Sequence, residues 1–329
     1  MPKLLSACCL ALVFLAVPFT TGCTRNLGAM VRTGPDDPGE RIIGLYRCAP
    51  GRPDVAEIDP TLPTTILVHG CTSSGARFAT LAEVFEAHGQ QTLCFNYNDR
   101  DFINTSATQL ALALSELEER IAPGQITVLG HSQGGLVARR ALQADLTRPL
   151  HTREGFTYNL VTVSSPLHGI ASSADCGQVW LHVISLSITI AVCMAVTGNK
   201  WTEIPPGSHF MTNPSPMVDE VTAHLQIVTD ERGSCRRFAE DGTCETDDFV
   251  FGLEEQNSEV VTADPRVSVV EIQVGHAAAV GENRMPPLLL IEVLQRSGVL
   301  APTTPTLEPE IVALLARLYP GESGRSGPM

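Results

Sequence analysis

Three short segments carry residue types that could act together on a carbonyl group. The first is Gly130-His131-Ser132-Gln133-Gly134-Gly135. A serine hydroxyl becomes a useful nucleophile when a neighbouring base takes its proton. Glycines two positions either side of Ser132 let a strand turn sharply into a helix, with the serine held at the apex. The following helix aims its amino terminus, with unpaired N–H groups and partial positive charge, at the same point. The second segment is His69-Gly70-Cys71-Thr72, some 60 residues earlier. A loop of this kind supplies backbone N–H donors for a developing oxyanion, and we assign that role to the N–H groups of Cys71 and Gln133. The role needs no side chain, so the Cys71 thiol is left open as buried, disulfide-bonded or reactive. The third is Val274-Gly275-His276-Ala277, after a late apolar run. A base there follows the nucleophile in chain order, as a Ser…acid…His triad requires, and His276 is assigned as general base. His168 is the nearest rival. It precedes every candidate acid in sequence and is read as structural or pocket-lining.

The acid must lie between Ser132 and His276 and follow the strand expected at Leu225 to Val228. It would accept the Nδ1–H of His276 and hold its tautomer. The candidates are Asp230, Asp247 and Asp248. Asp230 sits directly at the strand end, so position favours it. Cys235 and Cys244 could close an insertion and bring Asp247 back near that end. Neighbouring side chains on an extended segment point opposite ways, which leaves Asp247 and Asp248 ambiguous by one residue.

The elements that must hold these residues alternate. Thr64–Val68, Thr92–Asn96, Ile126–Leu129, Leu160–Val163, Leu225–Val228 and Val267–Val274 read as short buried strands. Arg77–His88, Ser106–Ile121 and Gly135–Leu146 read as helices with one apolar face. This alternation predicts an α/β fold with a mainly parallel sheet covered by helices on both faces. Trp180 to Val196 is a run of 17 nearly uncharged residues, bordering on the length of a membrane span. A span there would put Ser132 and His276 on opposite sides of a membrane. The run is read instead as a buried helix or an apolar lid within a lid-like insertion at residues 176–215.

Taken together, Val68-His69-Gly70, the Gly130–Gly135 elbow, Ser165-Pro166-Leu167-His168-Gly169 and Gly275-His276 resemble the α/β-hydrolase lipases, over about residues 60–290. The likeness is greatest to the bacterial triacylglycerol lipase and inositol-deacylase-like branch. The resemblance implies acyl-ester hydrolysis without a cofactor and a triad in the order Ser, Asp, His. The branch often presents its acid as Asp-Gly-x-Val. Asp247-Asp248-Phe249-Val250 is similar, with Asp248 in place of the glycine, and this likeness ranks Asp247 first, Asp248 second and Asp230 third.

Composition limits the partners. The formal net charge is −14, and no Lys/Arg cluster is present to hold phosphates, which excludes nucleic acid as the expected partner. No Cys/His spacing reads as a metal site. The start of the chain reads as a signal peptide over residues 1–22: Lys3, an apolar stretch from Leu4 to Val17, then Thr20-Thr21-Gly22-Cys23. Cys23 resembles a lipobox cysteine, with Thr20 where a leucine is usual, and is the expected lipidation site. Residues 23–41 would be a tether, and 301–329 a loosely docked or disordered tail. The domain is expected at 42–300. The seven cysteines from Cys48 onward suggest up to three disulfides and one free thiol in an oxidising compartment. Cys235–Cys244 and Cys176–Cys193 are the pairs expected from proximity.

The expectation is therefore an exported bacterial lipoprotein of the periplasm or outer membrane. It would hydrolyse small-molecule or lipid esters through Ser132, His276 and Asp247, and meet the membrane through its lipidated N-terminus. An acyltransferase with the same triad, and a non-catalytic lipid-binding protein of the same fold, are the alternatives.

Overall fold

The computed structural model describes residues 41–49, 54–147, 153–177, 193–195, 197–239, 241–281 and 285–319. The signal, Cys23 and most of the Trp180 to Val196 run lie outside the described residues. No helix among the described residues is long and apolar enough to cross a membrane.

Seven strands form one sheet: β1 (Leu45–Tyr46), β2 (Thr64–Val68), β3 (Gln91–Phe95), β4 (Gln125–His131), β5 (Thr157–Val163), β6 (Val221–Asp230) and β9 (Val267–Gln273). Their spatial order is β1-β3-β2-β4-β5-β6-β9. Only the short edge strand β1 runs antiparallel; it pairs Leu45 with Phe95. The other pairings are parallel. Two further strands, β7 (Cys235–Phe238) and β8 (Cys244–Asp247), make a separate antiparallel hairpin.

Every residue of β2 and β3 is buried. Such runs can be wholly apolar because helices cover both faces of a parallel sheet. Alternation sorts the side chains into two cores. Ile66, Val68, Leu93, Phe95, Ile126, Val128 and Leu160 face the helices α2 (Ile103–Glu118) and α3 (Gln133–Ala141). Leu67, Leu129, Val161, Leu225 and Ile227 face α1 (Ala79–Ala87) and α4 (Leu288–Arg296). The strands and helices expected from periodicity are all present, with ends shifted by a few residues.

Within the stretch expected as a loosely docked or disordered tail, Glu308–Leu318 forms a helix, α5. Ile311 is buried, and Leu314 and Leu315 pack against the second core. The Tyr319 hydroxyl donates to Thr80 Oγ1 at 3.0 Å, and Arg317 pairs with Glu83 on α1 at 2.8 Å. Apolar residues at helical spacing were enough to dock it, although proline and threonine precede it.

Both expected disulfides form, Cys176–Cys193 and Cys235–Cys244. A third, Cys48–Cys94, fastens the chain ahead of β2 to the second core. Cys71 is disulfide-bonded as well, which corrects the expectation of one free thiol.

Candidate active site

Parallel strands end together, so the loops after β2, β4, β5, β6 and β9 converge at one sheet edge. Ser132 stands there between β4 and α3, with φ +57° and ψ −129°. A non-glycine residue pays for that backbone only where its surroundings impose it. The surroundings here are glycines. A Cβ on Gly130 would lie 2.4 Å from Gly134 O, and one on Gly134 would lie 2.1 Å from Val68 O. A Cβ on Gly135 would meet Ser165 Oγ at 2.0 Å. The first turn of α3 is thus pressed against the ends of β2 and β5. Ser132 N–H donates to Val163 O at 2.9 Å, tying the apex to the neighbouring strand.

The His69–Thr72 loop lies directly against this apex. A Cβ on Gly70 would sit 2.8 Å from Ser132 Cβ and 3.2 Å from its Oγ, so only glycine allows the approach. His69 holds the loop's shape through Nδ1, 2.8 Å from Gly70 O, and stacks on Tyr97 at 4.4 Å. The Tyr97 hydroxyl donates to His69 O at 2.7 Å. Burial pushes the His69 imidazole down to about 4, so it is neutral at ordinary pH. Thr72 N–H donates to the carboxylate of Asp99, and Gln133 Nε2 donates to Asp99 O at 3.0 Å. Lys200 comes from a short helical turn, Asn199–Thr202, within the 176–215 stretch. Its buried Nζ donates to Asp99 O and lies 3.4 Å from Cys71 Sγ. Burial pulls its ammonium down to about 8, against the attraction of Asp99 and Glu203.

His276 lies on the loop after β9 and is buried. Its ring packs beside His131 at 4.7 Å and edge-on to Phe251 at 5.1 Å. Its Nδ1 is 2.8 Å from Glu231 Oε1. Glu231 is the first residue after β6, and its side chain is fully buried. Ser164 Oγ donates to the same carboxylate oxygen at 2.6 Å and lies 2.8 Å from His276 Nδ1. Thr229 Oγ1 donates to Oε1 at 3.0 Å, and the N–H groups of Val250 and Phe251 donate to Oε2 at 2.5 and 2.9 Å. Burial alone would raise the pKa of Glu231. The hydrogen bonds from His276, Ser164 and Phe251, with the attraction of His276, outweigh burial and hold it below the usual range.

The carboxylate facing His276 is therefore none of the three expected. Asp230 is one residue short. Strand alternation turns it to the other side, where it pairs with Arg232 at 2.6 Å. Asp247 is exposed, and its Oδ1 accepts the N–H of Phe249 at 3.0 Å. Asp248 is buried beside the His276 loop but serves the backbone. Its carboxylate accepts the N–H groups of Ala277 and Ala278 at 3.1 Å. The signal for Glu231 was present, a carboxylate directly after β6 at the sheet edge. It was missed because only aspartates were weighed. His168 is exposed, and the described residues place it outside this group. Among the described residues, no group of histidine, cysteine and carboxylate side chains could hold a metal ion.

The parallel sheet covered on both faces, with Ser132 at a strand-to-helix elbow and His276 on a late loop, has the α/β-hydrolase fold. Residues 64–212 match the family model of palmitoyl protein thioesterases. Among solved structures, the chain is similar to the mature lipase BlEst2 of Bacillus licheniformis, at 15% identity and TM-score 0.47. That alignment covers 73% of this chain and 94% of the lipase. It is similar to an esterase, Est2, of the planctomycete Thermogutta terrifontis at 14% identity and TM-score 0.46, covering 79% and 90%. A putative thioesterase of Silicibacter gives 14% identity and TM-score 0.42, covering 70% and 75%. No curated protein sequence matches the chain.

Proposed function

We propose that the protein hydrolyses acyl esters through Ser132, His276 and Glu231. The observation that carries this reading is the buried Glu231–His276 pair, at the sheet edge where the elbow presents Ser132. With its Nδ1–H given to Glu231, His276 has Nε2 left to take the Ser132 proton. Ser132 Oγ then attacks the acyl carbonyl. The backbone N–H groups of Gln133, at the start of α3, and of Cys71 receive the oxyanion. Gln133 is the first helical residue, whose N–H has no acceptor within the helix. The tetrahedral adduct collapses, the leaving alkoxide takes the proton from His276, and an acyl-serine remains. Water, deprotonated by His276, releases the acid and restores Ser132. Glu231 stays ionised throughout and offsets the imidazolium charge.

The match to palmitoyl protein thioesterases favours a second reading of the leaving group, in which a thiolate departs instead of an alkoxide. The acyl half of the mechanism is unchanged. An apolar run at Trp180 to Val196 supports an acyl chain as the bound group, and a lipid ester or thioester as the substrate. The bridges Cys48–Cys94, Cys176–Cys193 and Cys235–Cys244 are compatible with an exported protein, and acylation of Cys23 would anchor it at a bacterial membrane. Nitrophenyl esters and matching acyl thioesters of increasing chain length test the reading. Turnover should favour long chains and should disappear in Ser132→Ala. Undiminished turnover in that variant would reject the proposal.

A further inference from the structure

Between Glu231 and Phe251 the chain leaves the sheet, makes the β7–β8 hairpin and returns. Eight exposed or half-exposed residues in two short strands provide no core of their own. A hairpin of that size is marginal in water unless something closes it. The Cys235–Cys244 bridge does so, with Cα atoms 5.7 Å apart. Cys235 stands opposite Asp247 in the ladder, and Arg236 and Asp248 are the residues that directly follow each of them.

Asp248 then reaches the catalytic loop from several directions. The Arg236 guanidinium donates to Oδ1 through Nε at 3.0 Å and a terminal nitrogen at 2.8 Å. The other interactions all point to the segment that carries His276. Ala277 N–H donates to both carboxylate oxygens at 3.1 Å, Ala278 N–H donates to Oδ2 at 3.1 Å, and His276 N–H donates to Asp248 O at 2.9 Å. Gly275 passes so close that a Cβ there would lie 2.3 Å from Oδ2. The far side of the hairpin is fixed by Asp248 N–H donating to Ser234 O at 3.2 Å. His276 is thus held at its side chain by Glu231 and at its backbone by Asp248. Both carboxylates belong to one excursion of the chain.

We propose that Asp248 is a positioning residue for His276, and that the Cys235–Cys244 hairpin with Arg236 sets its position, so that turnover depends on a bridge outside the catalytic group. This rests on the reading of His276 as general base. A buried carboxylate that loses its cationic partner is costly to keep in place, so freeing Arg236 would let Asp248 and the Gly275–Ala278 turn shift together. A shift of about 1 Å in a catalytic group can cost about a hundredfold in rate.

The experiment compares the Cys235→Ser/Cys244→Ser double variant and Arg236→Gln with the wild type, on one nitrophenyl ester. We expect kcat to fall by about 10- to 100-fold in both, with KM within about a factor of two. Arg236→Lys, which keeps the charge, should recover part of the loss. Fluorophosphonate labelling of Ser132 should slow by the same factor as kcat. The Arg236 variants change a side chain that is 38% exposed, so they remain informative should the bridge variant fail to fold. Unchanged kcat in folded variants would overturn the proposal. So would kcat and KM worsening together in proportion to a lower Tm, because that pattern marks a general structural role. An active Ser132→Ala enzyme would instead overturn the catalytic reading on which the proposal rests.

Discussion

The two halves of the candidate site are built by different means. On the nucleophile side, the backbone does the work. Gly70, Gly130, Gly134 and Gly135 let β2, β4 and α3 approach within distances that no Cβ permits, and Ser132 takes its position from that packing. On the base side, side chains do the work. His276 is oriented by Glu231, Ser164 and Phe251, which lie 45, 112 and 25 residues away in sequence. The elbow itself is local, specified by the six residues Gly130–Gly135, with Gly70 packed against its apex. The second half is assembled by tertiary contacts, and another carboxylate at a neighbouring position could have served.

That contrast can be broken at its backbone end first. Gly134→Ala places a methyl group against the Val68 carbonyl, 2.1 Å away, and backbone cannot rotate aside as a side chain does. The expected result is loss of activity with destabilisation of at least about 3 kcal/mol, read by denaturant unfolding. An active, equally stable Gly134→Ala enzyme would show that the elbow is looser than its packing implies.

On the side-chain end, Glu231→Gln should lower kcat by a factor on the order of 10⁴, because an amide can hold the wrong tautomer of His276. Asp247→Asn and Asp230→Asn should stay close to wild type, since among the described residues the first accepts from Phe249 and the second pairs with Arg232, both away from His276. A reversal in that ranking would return the acid to the later loop. Ser164→Ala removes a hydroxyl donor from the Glu231 carboxylate while keeping the volume. Losing one hydrogen bond to a charged group should cost about tenfold in kcat, measured with KM to separate binding from chemistry.

The smallest effect on turnover is expected at Lys200, where a pH dependence of stability is the sharper readout. Its folded pKa of about 8 lies below the ordinary 10.5. Between those values the unfolded chain binds the extra proton, so this residue adds to stability as pH rises through that window. Burial, aided by repulsion from Arg100, outweighs the attraction of Asp99 and Glu203. The difference in Tm between wild type and Lys200→Met should therefore move in favour of wild type from about pH 8 to 10. A difference that stays flat would mean that Lys200 keeps its proton in the fold.

The same contrast explains what could be read from the sequence. The doubly covered sheet was legible because β2, β4 and β5 are apolar runs separated by helices with a single apolar face. The elbow at Ser132 was legible because glycine spacing is a steric signature. The place of His276 on a loop after a late strand was legible from chain order. The carboxylate beside its ring was not, because position alone gave Asp230 and motif likeness gave Asp247 and Asp248. Which side of β6 points to His276 depends on the register with β9, Asp230 opposite Gln273, which no short segment encodes. The docking of the last helix was not legible, because it depends on partners on α1, Thr80 and Glu83, that its own segment does not encode. The Cys235–Cys244 closure was legible, but its use was not. It brings back Asp248, which holds the loop of His276, while the carboxylate beside the imidazole comes from the start of the excursion.

The central claim is that Ser132 is a nucleophile activated by His276 on Glu231. Reaction of the wild-type protein with a fluorophosphonate, followed by peptide mass spectrometry, tests it directly. The account predicts one phosphonyl group per chain, on the peptide that contains Ser132, with the labelling rate strongly reduced in Glu231→Gln. Labelling confined to another residue, or none in the folded protein, would contradict it.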